Sequence, residues 1–120
     1  MSKTIVFISV PYSQNPKRGE ELSLMAGMFI RHIGKTPFSP VFNFQRFADN
    51  GNEYDAVIED CLVMLRRCDE VLCIEEEGCL SHGQNIEFTE ALKLNKPIVK
   101  VTAKVLIDYA GIAIPGGNYV

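Results

Sequence analysis

An α/β fold, with a parallel sheet covered by helices on both faces, is what this sequence predicts. Three observations predict it. Short apolar runs rich in β-branched and aromatic residues alternate along the chain with longer segments of helical period. The intervening segments are too long for hairpins and long enough for crossover helices, which demands parallel strands joined by right-handed connections. The runs are apolar on both parities, as in strands buried on both sides. Four or five strands in 120 residues make a small three-layer, flavodoxin- or Rossmann-like sandwich. That length accommodates one core, so residues 1–120 are read as one domain.

Taken in order, residues 4–10 form the first strand, stopped by Pro11. Over residues 17–33, Leu22, Met25, Ala26, Phe29 and Ile33 fall on one face of a helix that Gly34 ends. Residues 36–44 are apolar, short and interrupted by two prolines, an irregular second strand. Residues 49–52 have the composition of a loop, and a helix over 53–68 buries Ile58, Cys61, Leu62, Leu65 and Cys68. Residues 70–75 are the third strand, 78–83 a loop, 84–94 a helix and 98–102 the fourth strand. At the end, residues 103–109 are expected as a short helix and 112–114 as a short final strand.

Hydrophobic residues make up 47% and charged residues 22% of the chain, which excludes a disordered polymer. The net charge is −3 and no basic stripe is visible, so nucleic acid is not an expected partner. The first apolar run is too short for a signal peptide, and no run is long enough for a membrane span. Cys61, Cys68, Cys73 and Cys79 form no C-x-x-C pair, and His32 and His82 are far apart without a spaced third ligand. The expectation is reduced core thiols, no metal, no membrane and a cytoplasmic location.

In doubly wound sheets ligands bind beyond the carboxyl ends of the strands, where the strand order reverses. That rule selects residues 11–19, 44–52, 76–83 and the stretch after Thr102. No phosphate-binding glycine loop, nucleophile elbow or H-E-x-x-H pair occurs in the chain. Residues 79–87 are the informative segment: a glycine-containing polar loop runs into a helix, with Glu87 in or near its first turn. Free N–H groups and the helix dipole favour anions there and the ionised form of Glu87, a candidate carboxylate nucleophile. The same residues have a purely structural reading, because Ser81-x-x-Gln84 is a capping box and an acid near a helix start needs no chemistry to explain it.

Residues 68–72 (CDEVL), then Ser81-x-Gly83-x-x-x-Glu87-x-x-x-Ala91, then residues 95–98 (NKPI), together resemble the nucleoside 2-deoxyribosyltransferase family. The opening VFISVPYS and the GKTPFSPV of residues 34–41 are similar to its first strand and to a motif of its small members, which include 2′-deoxynucleoside 5′-phosphate N-hydrolases. The resemblance spans residues 4–102 in order. It implies cleavage of the N-glycosidic bond of a 2′-deoxynucleoside or its 5′-phosphate. Glu87 would attack the anomeric carbon, and the deoxyribosyl ester would pass to a second nucleobase or to water, a retaining mechanism of glycosidase type.

Further roles follow from the resemblance. Six residues before the nucleophile, nucleoside-specific members carry an aspartate and nucleotide-specific members a serine. Here that residue is Ser81, which with Gly83 favours a 5′-monophosphate. Ser13 and Arg18 are further phosphate contacts, and Tyr12 faces the sugar or base; a turn serine, a surface arginine and a rim tyrosine are the plain alternatives. The family's general acid is an aspartate eight residues before Asp69, but that position is Cys61. Asp60, one residue away, is the provisional acid, with Glu59 beside it. Asp69 is assigned to the substrate side, with a structural role before a buried strand as the alternative. No metal or organic cofactor is implied. The expected partners are a deoxynucleoside or deoxynucleotide, a nucleobase, and further copies of the chain in a homodimer or higher homo-oligomer. Asn118, in the polar tail 116–119, is expected to reach a neighbouring site, or to belong to a frayed end. The competing function is a non-catalytic binder of nucleotides or signalling nucleotides on the same fold. Glu87 counts against it and Cys61 in place of an acid counts for it.

Overall fold

A computed structural model of the chain describes residues 3–44 and 54–113, with Tyr54 and residues 110–113 described by their backbone course alone. Strand β1 (Ile5–Ser9) is followed by helix α1 (Pro16–His32), strand β2 (Thr36–Phe38) and a single helical turn, α2 (Pro40–Asn43). Helix α3 (Tyr54–Arg67) leads into strand β3 (Glu70–Glu75), helix α4 (His82–Lys93), strand β4 (Ile98–Thr102) and helix α5 (Ala103–Ala113). The four strands are parallel in the order β2-β1-β3-β4. The chain winds one way from β1 to β2 and the other way from β3 to β4, so the order reverses between β1 and β3.

Strand parity sorts the core into two layers. Val6 and Ile8 of β1 and Leu72 and Ile74 of β3 point to one side, where they pack with Leu22, Met25, Ala26, Ile30, Ala103 and Leu106 of α1 and α5. Phe7 and Val71 point to the other side, against Val57, Cys61, Leu65 and Cys68 of α3 and Ala91 of α4. Cys61, Cys68 and Cys73 are buried free thiols, and Cys79 is a free thiol at the surface.

Three expectations change. The second strand stops at Phe38, because Ser39-Pro40 turns the chain and the fixed φ of Pro40 suits the first position of α2. Helix α4 starts two residues earlier than its periodicity suggested, since Ser81 is its N-cap. Residues 112 and 113, expected in a final strand, belong to α5, whose apolar composition misled a reading by pattern; residue 114 lies outside the described residues, as does the loop at 49–52. No helix among the described residues is long and apolar enough to cross a membrane.

Candidate functional site

The loop after β1 and the loop after β3 face each other across the reversal point. Between them lies a cleft of about 510 Å³ lined by Tyr12, Ser13, Arg18, Glu76, Ser81 and His82, among others. That size suits a small organic ligand. The first wall is set by Asn15, which accepts the Arg18 N–H at 3.2 Å and caps α1, and by Gly19. A Cβ at Gly19 would stand 2.8 Å from the Pro11 carbonyl oxygen and 2.9 Å from the Tyr12 ring. Only glycine lets α1 approach the Pro11–Tyr12 backbone so closely. Tyr12 is half-buried and leans on the aliphatic layer beneath it.

The second wall is a tight turn followed by the start of α4. Glu77 and Gly78 both have positive φ, 55° and 78°, and the Cys79 N–H closes the turn on the Glu76 carbonyl at 3.2 Å. Ser81 and Gln84 then complete a reciprocal capping box: Ser81 Oγ accepts the Gln84 N–H at 3.2 Å, and Gln84 Oε1 accepts the Ser81 N–H at 2.9 Å. The Gln84 amide nitrogen, fully buried, donates to the Ile74 carbonyl at 2.6 Å and to the Ser9 carbonyl at 3.1 Å. One side chain thus ties the N-terminus of α4 to the ends of β1 and β3.

Glu87 lies further along α4 than the cleft-lining residues Ser81 and His82, and is not itself a lining residue. It is 7% exposed, and its Oε1 accepts the Ser9 hydroxyl at 2.7 Å. The Cys61 thiol is a second donor to it. Burial dominates these bonds and pushes the carboxyl up to about 7. The dipole does not offset burial, because Glu87 stands at the sixth position of α4, beyond the first turn in which the dipole acts. The expectation of a carboxylate held ionised by a helix start is therefore revised to a buried acid titrating near neutrality. Around it, burial pushes the Cys73 thiol up to about 11, and burial together with the Glu87 charge raises Cys61 further.

Among the expected site residues, Tyr12, Ser13, Arg18 and Ser81 line the cleft together. Gly83 sits in the first turn of α4 beside it. Arg18 does not present an unengaged guanidinium, since it is paired with Glu76. Asp60 is exposed, as is Glu59, and it is the adjacent Cys61 that faces Glu87. Asp69 is at the opposite end of the sheet: its carboxylate accepts the Ile5 N–H at 2.8 Å and its own N–H donates to the Ile5 carbonyl, pinning the amino end of β1. Its assignment to the substrate side is corrected to a structural one. Asn118 lies outside the described residues. Among the described residues no group of three His, Cys, Asp or Glu side chains is placed to hold a metal.

Ser9 and Gly19 were not singled out by the sequence; Gln84 was read there only as a capping partner of Ser81, and Glu76 only as part of the segment after the third strand. Ser9 carried one faint signal, a polar residue closing an otherwise apolar buried strand on the same parity as Phe7.

No protein-family model matches the sequence, and no curated protein matches it either. Solved structures do match. The 2-desoxiribosyltransferase from Leishmania mexicana superposes with a TM-score of 0.64 at 18% identity, over 82% of this chain and 64% of that one. The 2-deoxyribosyltransferase from the psychrotolerant bacterium Bacillus psychrosaccharolyticus, described as a biocatalyst for nucleoside synthesis, superposes with a TM-score of 0.68 at 19% identity, over 82% and 72%. The fold is that of the 2-deoxyribosyltransferases. This chain spans about two thirds of the length of those proteins, and the likeness concerns architecture; chemistry has to be argued from the site.

Proposed function

We propose that this protein cleaves the N-glycosidic bond of a 2′-deoxynucleoside through a covalent deoxyribosyl ester on Glu87. The observation that carries the proposal is the Glu87 carboxyl, buried at the carboxyl end of β1 with the Ser9 hydroxyl 2.7 Å away. A nucleophilic carboxylate gains from such a setting. Partial desolvation raises its basicity, two donors fix its orientation, and a value near 7 leaves a large ionised fraction at neutral pH.

In the first step a Glu87 oxygen bonds to the anomeric carbon as the bond to the base nitrogen breaks, and the electron pair leaves with the base. In the second, water or another nucleobase attacks the same carbon and releases the carboxylate. The sugar is placed over Tyr12, with its 5′ end against Ser81, Ser13 and the start of α4. The charge tolerated at that end is set by Arg18 and Glu76. Asp60 is not placed to protonate the departing base. Cys61 faces Glu87, but with its pKa raised it holds its proton tightly and is a poor general acid. Bases that leave readily are therefore the preferred substrates. The reaction requires no cofactor, and a cytoplasmic homo-oligomer remains the proposed setting.

The same two facts, a poor acid at Cys61 and a buried Glu87, favour a second reading: a binder of nucleosides or nucleotides that does not turn them over. Incubation with the four deoxynucleosides and their 5′-monophosphates, with and without an added base, separates the two. Free base released by the wild type and abolished in Glu87→Ala is the expected result. No release from any of the eight compounds, with a nucleoside or nucleotide still raising Tm, would establish the binder.

A further inference from the structure

The two loops that wall the cleft are joined by one ion pair, 58 residues apart in sequence. Arg18, in the first turn of α1, lays the edge of its guanidinium on Glu76, the first residue after β3. Nε donates at 3.1 Å to Oε2 and 3.2 Å to Oε1, and Nη2 donates at 2.9 Å to Oε1. Glu21 approaches the remaining Nη1 at 4.0 Å. Both partners are half-buried. The Glu76 backbone is held by the Cys79 turn behind it, in which Glu77 adopts a left-handed conformation that side chains other than glycine rarely take. A forked pair of this kind occupies the Nε–Nη2 edge of arginine, one of the two edges with which it grips an anion.

We propose that Glu76 is a specificity-determining residue: by engaging Arg18 it fits the cleft to a nucleoside with an uncharged 5′ end and disfavours the 5′-phosphate. The inference rests on the nucleoside reading of the site. Arg18 is set in the cleft wall against two carboxylates, Glu76 and Glu21, with Glu77 and His82 lining the same cleft. An entering phosphate dianion that took this edge of Arg18 would break three hydrogen bonds and leave Glu76 unpaired at a partly buried position, and one that approached Nη1 instead would meet the Glu21 carboxylate. At the start of α4 the capping box already uses the Ser81 and Gln84 N–H groups, so they are not available to a phosphate. An uncharged hydroxyl meets no such conflict. It can donate to a carboxylate oxygen and accept from the Ser81 hydroxyl while the ion pair stays intact. The 5′-monophosphate favoured by Ser81 alone is thus displaced by the nucleoside.

Binding, read as the rise in Tm and by calorimetry, tests this without depending on turnover. The probes are a deoxynucleoside, its 5′-monophosphate and inorganic phosphate, on the wild type, Glu76→Gln, and the double variant Arg18→Met/Glu76→Gln. The wild type should bind the nucleoside at least about tenfold more tightly than the monophosphate. Glu76→Gln should improve monophosphate affinity by about tenfold or more, with nucleoside affinity changing much less, and the double variant should lose that gain. Glu76→Ala carries the same expectation if Glu76→Gln does not fold. A wild type that favours the monophosphate, a Glu76→Gln that gains nothing for it, or binding of no probe overturns the proposal. Nucleoside binding with no base release, together with the expected shift, would sink the proposed reaction and leave the role of Glu76 standing.

Discussion

The two sides of the sheet are filled in opposite ways. Toward α1 and α5 the layer is aliphatic along its length, with Leu22, Met25 and Ile30 against Val6, Ile8, Leu72 and Ile74. Toward α3 and α4 it is apolar only at its amino end, around Phe7, Leu65 and Val71. At its carboxyl end it encloses Ser9, Gln84, Glu87 and the Cys61 and Cys73 thiols. The first side follows the rule that buried surface should be apolar. The second breaks it where strand order reverses and a ligand cleft opens, and a carboxyl kept in such a place at a cost to stability is the pattern of a site.

If the aliphatic side carries stability, truncating it should produce the largest loss in the molecule. Leu22→Ala removes a side chain with no exposure, and the expected cost is about 3–4 kcal/mol by urea denaturation. A cost under about 1 kcal/mol would show that this layer is looser than its burial implies.

The opposite result is expected at Glu87. Its folded-state value of about 7 lies above the ordinary 4.5, so the folded chain holds this proton more tightly than the unfolded chain does. The stability tied to the proton is complete below about pH 4.5 and is lost as pH rises through about 7, a change of roughly 3 kcal/mol. Glu87→Gln keeps the shape and removes the titration. It should abolish base release, flatten the fall in stability between pH 5 and 8, and be more stable than the wild type at pH 8 by about 2–3 kcal/mol. Equal pH dependence in the two proteins would mean that Glu87 ionises without penalty.

A smaller effect is expected where the aliphatic side meets the cleft. Gly19→Ala gains helix propensity but drives a methyl group against the Pro11 carbonyl and the Tyr12 ring. The net cost should be about 1–2 kcal/mol, with nucleoside affinity lowered because Tyr12 is displaced. A stabilised variant with unchanged affinity would show that the loop after β1 yields freely.

What could be read from the sequence divides along the same line. The aliphatic side was legible because its signals are local: Leu22, Met25 and Ala26 recur at helical spacing and residues 5–8 form an apolar run. The parallel sheet followed from alternation and handedness, and the cleft from the rule about strand ends. Glu87 and Ser81 came from a pattern of resemblance, but their surroundings did not. Ser9 reaches Glu87 across 78 residues and Gln84 reaches the Ser9 carbonyl across 75, so neither pairing leaves a periodic trace. Asp60 was chosen over Cys61 on side-chain chemistry, although the helical period already turned Cys61 inward and left Asp60 off the buried stripe. Asp69 was assigned by resemblance, although its place just before the third strand sets it at the amino end of a parallel sheet, away from the cleft.

The finest test of the contrast is the hydroxyl of Ser9, which makes the polar end of the second side tolerable. It donates to Glu87 and so favours the carboxylate, opposing the burial that favours the acid. Ser9→Ala removes the donor and leaves the burial. The Glu87 value should rise by about one pH unit, the worth of one hydrogen bond to a charged acceptor. Base release requires the carboxylate, so the ascending limb of the rate against pH should move upward by the same amount, with the plateau at high pH largely retained. A serine that merely packs would lower the rate at every pH and leave the midpoint in place. Cys61→Ala, which removes the weaker thiol donor, should move the limb in the same direction by less, because a thiol is a poorer donor than a hydroxyl.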